Sequence, residues 1–296
     1  MLLKSVLFFK VQSLLLVPNH VMVLATLGIN TGLVLDVGYK EATAIPIVES
    51  VTLLDLVKFA PLGSKSIHYR INDELIQRNA IILENGQESP VGDSLSETIL
   101  EDIKIKTCFV TTIERGSHLV YQKLSDEAKS QKQPPVECSI TRPPPAVRFP
   151  VEGNKLLKIP GSLRESVCEV LFEMYGEEHT LPTLVIDAIL SCPVDCRRQL
   201  ASNIVLVGGT VMLPGFKHRL FQEIKHLTTN SERYKQLSFA GDFKFHKLPC
   251  KENYGNWLGA SIFATSDLLL MRSITSEQYK ASQRVTDWSS CWNPGL

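Results

Sequence analysis

Apolar and polar positions follow two rhythms along this chain. From Ile204 to Val207 the side chains are apolar without a break. The run stops at Gly208-Gly209, and an apolar spacing of three to four resumes after Pro214-Gly215 as Phe216, Leu220, Phe221 and Ile224. A short unbroken run predicts a buried strand and the wider spacing a helix, so this stretch reads as strand, tight turn and helix. Such a turn aims backbone N–H groups at a helix start, where a phosphate or nucleotide face is held. Paired glycines serve close packing equally well. A second run, Leu33 to Val37, passes through Gly38-Tyr39-Lys40 into Thr43 to Val48, a hairpin pattern with Asp36 and Gly38 at its first turn. Two glycine-bearing turns of this kind predict two lobes around a cleft.

The remaining pattern fills in around these turns. Leu14 to Val17 reads as a buried strand, and Pro18-Asn19 opens a helix through His20 to Leu27 that stops at Gly28. After the turn at Pro61 to Gly63, Ser64 is expected to cap a helix that buries Ile67, Ile71 and Leu75 and leaves Asp73 and Glu74 wet. Glu84 to Ser96 reads as a polar loop. A helix then starts at Ser96 or Glu97, with Ile99, Leu100, Ile103, Thr107 and Val110 at helical spacing. Thr111 to Pro145, with Pro134-Pro135 and Pro143 to Pro145, reads as an exposed excursion, either an irregular loop or extended polyproline.

Further on, Pro150 to Lys155 has the composition of a hairpin turn. Helical stripes follow at Leu163, Val167, Val170 and Leu171, and at Leu184 to Leu190. Asp195 is placed at the N-cap of a short helix before the glycine-turn strand. The helix after Gly215 is expected to end near His226 and to lead into a polar connector from Thr228 to Gly241. Phe243, Phe245 and Leu248 alternate as a strand, and Trp257 to Leu270 reads as an apolar helix that begins near Asn253 and Tyr254. Strands alternating with helices predict an α/β fold.

Composition narrows the partners. The 296 residues suffice for a sizeable core and two domains. Lysine plus arginine and aspartate plus glutamate number 31 each, so no global field draws the chain to nucleic acid or to an anionic membrane. The seven cysteines form no CxxC pair; Cys192 and Cys196 lack the companions a zinc shell needs, and reduced thiols are expected. The apolar residues 1–17 carry two lysines, fall short of a membrane span and precede no small-residue cleavage site, so they read as a buried strand rather than a signal peptide. His20, His68 and His218 are expected on helix surfaces, Cys108 and Cys168 in the core, Trp257 between lobes, and Arg197-Arg198 on a solvated face. Asp36 is read either as a functional carboxylate or as the cap of its own turn.

Several stretches together resemble actin, in actin's order. They are Leu33 to Ile47, Asp102 to Val110, Cys192 to Leu200, Gly208 to Gly215, Tyr254 to Ile262 and Ser276 to Tyr279. Leu27 to Asn30, Leu213 to Phe216 and the stretch through Trp288 and Pro294 resemble the actin-related branch found in dynactin. The resemblance implies an actin-like α/β fold with two lobes, in which actin's first third has no counterpart. It divides the chain into a first-lobe remnant at 1–26, a second-lobe sheet with the phosphate-type hairpin at 27–62, and an outer helical insertion with the proline-rich loop at 63–161. The second lobe continues with the glycine turn at 162–250, and 251–296 returns to the first lobe.

The resemblance also implies a nucleotide cleft, with Asp36, Gly38, Gly208, Gly209, Thr210 and Met212 as cofactor-binding positions for ATP or ADP with Mg. Other positions depart from actin. Tyr39 and Lys40 replace the hairpin's second aspartate and a glycine, and Asn19 and Thr43 replace the glutamine and histidine beside the attacking water. Ile105 and Asn253 replace a ribose-side glutamate and an adenine-side lysine. Orienting water and relaying its proton need groups at those places, so hydrolysis is not expected. The implied function is a non-catalytic subunit of the dynactin pointed-end complex that caps its actin-like filament and supports dynein-driven, microtubule-based transport. Its implied place is the cytoplasmic cytoskeleton, with other dynactin subunits as partners and neither nucleic acid nor membrane insertion. The alternatives are an ATP-binding member of the wider superfamily and a fragment that cannot fold alone.

Overall fold

The computed structural model describes residues 13–78, 80–84, 87–91, 95–128, 142–151, 153–173, 179–237, 243–267, 269 and 273–283. The readings made at residues 1–12, Pro134-Pro135, Cys138, Trp288, Cys291 and Pro294 lie outside them. In chain order the strands are β1 (Ser13–Leu14), β2 (Gly32–Val37), β3 (Ala42–Val48), β4 (Val51–Thr52) and β5 (Lys58–Ala60), then β6 (Ile81–Glu84), β7 (Gln87–Pro90), β8 (Val147–Pro150), β9 (Lys155–Ile159), β10 (Ile204–Val207) and β11 (Ile274–Thr275). The helices are α1 (Asn19–Ala25), α2 (Ser64–Gln77), α3 (Glu97–Thr107), α4 (Ile113–Ala128) and α5 (Gly161–Ser166), then α6 (Leu181–Ser191), α7 (Val194–Ser202), α8 (Phe216–Asn230), α9 (Gly255–Ala264) and α10 (Ser276–Ser282).

The central sheet runs β10-β2-β3-β4, with β5 also paired to β3. Only β10 and β2 are parallel within it; the others are antiparallel. Both faces are buried, which explains why its strands read as apolar runs without alternation. Leu33, Leu35, Val37, Ala42, Ala44, Ile204 and Leu206 face the larger core. Val34, Ile45, Ile47, Val205 and Val207 face a smaller one, closed by Val21 to Leu24 of α1 and by Leu248. A second, antiparallel sheet runs β7-β6-β9-β8 and joins the larger core through Phe149, Leu157 and Ile159. Helix α6 is apolar except along the stripe of Thr183, Asp187 and Ser191, and it is buried at nearly every position, as a helix inside a core must be. Thr180 caps it reciprocally with Thr183.

Helices α1 and α9 approach so closely that only glycine fits between them. A Cβ on Gly259 would lie 1.8 Å from the Met22 carbonyl oxygen, and one on Gly255 would lie 2.9 Å from Val23. Trp257 and Ile262 of α9 therefore point elsewhere, while Phe263 packs against the smaller core. Trp257 is 69% exposed, which corrects its expected place between lobes.

Other departures have local causes. The stretch expected as a loop at 84–96 contains β7, whose side chains are all exposed, so backbone pairing alone marks it as a strand. The expected excursion from Thr111 starts with the 16-residue helix α4, in which Arg115 and Gly116 are buried. The strand expected at Phe243 to Leu248 is a single bridge from Phe245 to Ile204. Leu14 to Val17 gives a two-residue strand with Leu16 47% exposed. Helix α8 runs on to Asn230, and the connector beyond it is pinned by buried Tyr234 and Leu237. Asp195 lies in the first turn of α7, after Pro193 at the N-cap. Glu74 is buried, where it accepts from Arg78 at 2.9 Å and from Ser166 at 2.8 Å.

Two ion pairs sit deep in the larger lobe of packing. Arg115 donates to Glu165 at 2.6 Å, and Arg219 grips Glu169 through both nitrogens at 3.0 and 2.9 Å. Arg219 also donates to the Thr111 and Thr112 carbonyls, tying α8 to the start of α4. Burial pushes the Glu169 carboxyl up to about 7, against the opposing pull of Arg219.

Two substitutions test this packing. Gly259→Ala should cost about 1–3 kcal/mol in urea unfolding, because the added methyl drives α1 from α9; an unchanged midpoint would show that the helices do not meet backbone to backbone. Arg219→Met strands the buried Glu169 carboxylate and should lower unfolding free energy by about 3–5 kcal/mol. A loss below about 1 kcal/mol would mean that water reaches this pair.

Candidate functional site

Register brings the two glycine turns together. Val207 at the end of β10 pairs with Asp36 near the end of β2, so the chain leaves both strands side by side. Gly208 has φ of 103°, and a Cβ there would stand 2.3 Å from the Val37 carbonyl oxygen and 3.0 Å from the Asp36 carboxylate. The glycine is thus required by the contact between the two turns. Gly38 closes its own hairpin by donating to the Glu41 carbonyl at 3.0 Å. Its carbonyl accepts from the Ser64 N–H at 3.2 Å and from the Thr210 hydroxyl at 2.9 Å.

Asp36, Gly38, Gly208 and Thr210, chosen from sequence, are therefore in direct contact. Gly209 borders open space, with no atom within 4 Å of a built Cβ, and Met212 is 40% exposed on the next turn. Behind them lies a polar group that sequence reasoning missed. Lys104, 3% exposed, donates to the Ser64 hydroxyl and to Glu101, each at 2.7 Å. Ser64 in turn meets Thr210 at 2.8 Å. His68, expected on a helix surface, is 2% exposed; its Nδ1 is 2.7 Å from Glu97 and its Nε2 2.9 Å from Glu101. The Tyr39 hydroxyl donates to Glu97, which pushes the phenol up to about 12 and holds the carboxyl below its ordinary value.

Two further corrections concern this neighbourhood. Ser64 is the first residue of α2, after Gly63 at the N-cap, and its hydroxyl serves the network in place of the helix end. His20 turns toward the turn, with Nε2 3.1 Å from Asp36. The signal for Lys104 was present in the sequence: it shares the stripe of Leu100, Ile103 and Thr107 and must be buried if they are. Ser64 and His68 flank Ile67 and Ile71 in the same way. Cys192 and Cys196 spend their thiols on the Ala188 and Pro193 carbonyls. Among the described residues no three His, Cys, Asp or Glu come together as a metal shell, and no helix is long and apolar enough to cross a membrane.

Comparison with known proteins decides the family. The family model for Actin matches residues 7–285, almost the whole chain. The chain belongs to the actin family. It is 28% identical to actin-related protein 10 of Dictyostelium discoideum over 89% of this chain and 60% of that one. It is 26% identical to centractin of Schizosaccharomyces pombe, covering 86% of this chain and 58% of that one. With actin-related protein 3 of Caenorhabditis elegans the identity is 27%, covering 84% and 56%. The chain thus spans under two thirds of the length of these curated relatives.

Actin-family proteins typically hold ATP or ADP with Mg, and the residues here fit that load poorly. The space that Gly208 leaves is filled by Val37 and Asp36, so it cradles protein backbone. The buried cation, Lys104, is committed to Ser64 and Glu101, and the Asp36 carboxylate to His20. Ile105 is 60% exposed and Asn253 is also exposed. Among the groups chosen from sequence, Gly209 borders open space and Met212 is exposed, while Asp36 and Gly38 are half-buried.

The contact between the turns predicts a specific sensitivity. Gly208→Ala should destabilise the fold by more than about 1 kcal/mol, since alanine disfavours this φ and its methyl meets Val37. Thermal unfolding followed by circular dichroism checks this, and an unshifted transition would mean that the turns do not touch.

Proposed function

We propose that this chain is a non-catalytic, actin-related structural subunit that works at the pointed end of dynactin's actin-like filament. The observation that carries the reading is the self-satisfied site. Lys104, Ser64 and Thr210 behind the Gly38 turn are spent on one another, on Glu101 and on the Gly38 carbonyl, and the positions where actin orients water hold Asn19 and Thr43. A cap presents one actin-like face to the last protomer and a non-propagating face to everything else, which ends a heterologous filament. Such a role needs the fold and its surfaces and makes no demand for turnover. Support comes from the kinship with actin-related protein 10 and centractin. Through dynactin the chain would serve dynein-driven transport from the cytoplasmic cytoskeleton, with the other dynactin subunits as partners.

A second reading, an ATP-binding protein with weak or no hydrolysis, is favoured by the open space at Gly209 and the exposure of Met212. Adenine nucleotide released in equimolar amount when the purified protein is denatured would select it.

Affinity purification of the tagged chain from cell extract is expected to bring down dynactin's filament and its other pointed-end subunits. The purified protein should release no phosphate from ATP above the buffer rate. An eluate without dynactin subunits, at normal expression, sinks the capping role, and steady phosphate release sinks the non-catalytic one.

A further inference from the structure

The contacts behind the Gly38 turn form a closed circuit. The Gly38 carbonyl accepts from Thr210, which meets Ser64, which accepts from Lys104. From Lys104 the path continues through Glu101 to His68 and on to Glu97. Glu97 accepts from Tyr39, the residue covalently next to Gly38. The circuit joins four separate pieces of chain: the β2–β3 turn, the turn after β10, α2 and α3.

Its inner members are deeply enclosed, with Thr210 at 0%, His68 at 2%, Lys104 at 3% and Ser64 at 5% exposure. A buried ammonium persists only where hydrogen-bonding partners replace water, and Lys104 has them in Ser64 and Glu101. The buried imidazole hydrogen-bonds Glu97 through Nδ1, while its Nε2 makes no hydrogen bond and meets Glu101 by ion-pair distance alone. The Tyr39 ring adds an edge contact to the His68 ring, with centroids 5.9 Å apart. Recruiting Ser64 or Lys104 to a phosphate would strand a buried partner, so the circuit competes with a ligand instead of awaiting one.

We propose that this polar circuit is a ligand-independent clamp that holds the two turns together where the family implies a nucleotide. The proposal deepens the non-catalytic reading of the same site and rests on it. The clamp makes the native state complete without nucleotide or divalent metal.

The test uses the full chain, stripped of nucleotide and metal by EDTA and gel filtration, with thermal unfolding as the readout. Millimolar Mg-ATP should move the melting temperature by less than about one degree, whereas a ligand at a hundred times its Kd raises it by several degrees. Thr210→Val and Tyr39→Phe, which break the circuit on either side of Gly38, should each lower it by a few degrees. Combined, they should lower it by less than the sum of the two, because the first break has already opened the circuit. Tyr69→Phe, on the exposed side of α2, should leave it unchanged.

A rise of several degrees with Mg-ATP overturns the clamp, and so does strict additivity of the two substitutions. Either failure leaves the dynactin purification untouched, since a cap can also carry a nucleotide. An eluate without dynactin subunits, in turn, says nothing against sub-additive unfolding.

Discussion

The parallel pairing of β2 with β10 is the constraint on which the rest depends. It joins segments far apart in the chain, so that Thr210 reaches the Gly38 carbonyl across 172 positions. Closing so long a loop is entropically costly and is repaid only once both faces of the pair are covered. The larger core and α2 cover one face; α1 and α9 cover the other. Because the strands end in register, their turns collide unless one of them lacks a side chain, and Gly208 is where it is lacking.

That geometry separates what the sequence made legible from what it hid. Strands β2, β3 and β10 of the central sheet, both turns and the start of α3 at Ser96 or Glu97 could be read because local pattern and final environment agree there; the short β4 and β5 were not. Strand β7 could not, since three exposed polar side chains and a proline carry no periodic mark and only its pairing with β6 defines it. Helix α4 was hidden by composition, its contacts being the long-range ones of Arg115 and Gly116. Phe243 to Leu248 looked like a strand because apolar residues alternate, yet Ile204 offers it only one bridge.

The site divides in the same manner. Asp36, Gly38, Gly208 and Thr210 were found because turns announce themselves through glycine and the polar residues beside it. The groups behind them were missed because charged residues on a predicted helix default to the wet face, as with His68 and Glu74. Lys104 shows how to read against that default: a charge locked in phase with three buried neighbours has to bring partners with it. Glu101, one turn back on the same helix, is near by local geometry, but Ser64 lies at a position that only the packing of α2 against α3 brings near.

Helix α9 carries a last consequence. It turns its glycines inward and leaves Trp257, Ile262 and neighbouring Tyr254 at 69%, 45% and 55% exposure. Among the described residues this is a largely apolar helix whose glycines and Phe263 face inward while Trp257 and Ile262 face out. In colloidal terms that face is the sticky part of the particle, and salts excluded from apolar surface, such as sulfate, act on it first. The indole of Trp257 is also a fluorophore set in water, whose emission colour reports the moment something dry settles over it.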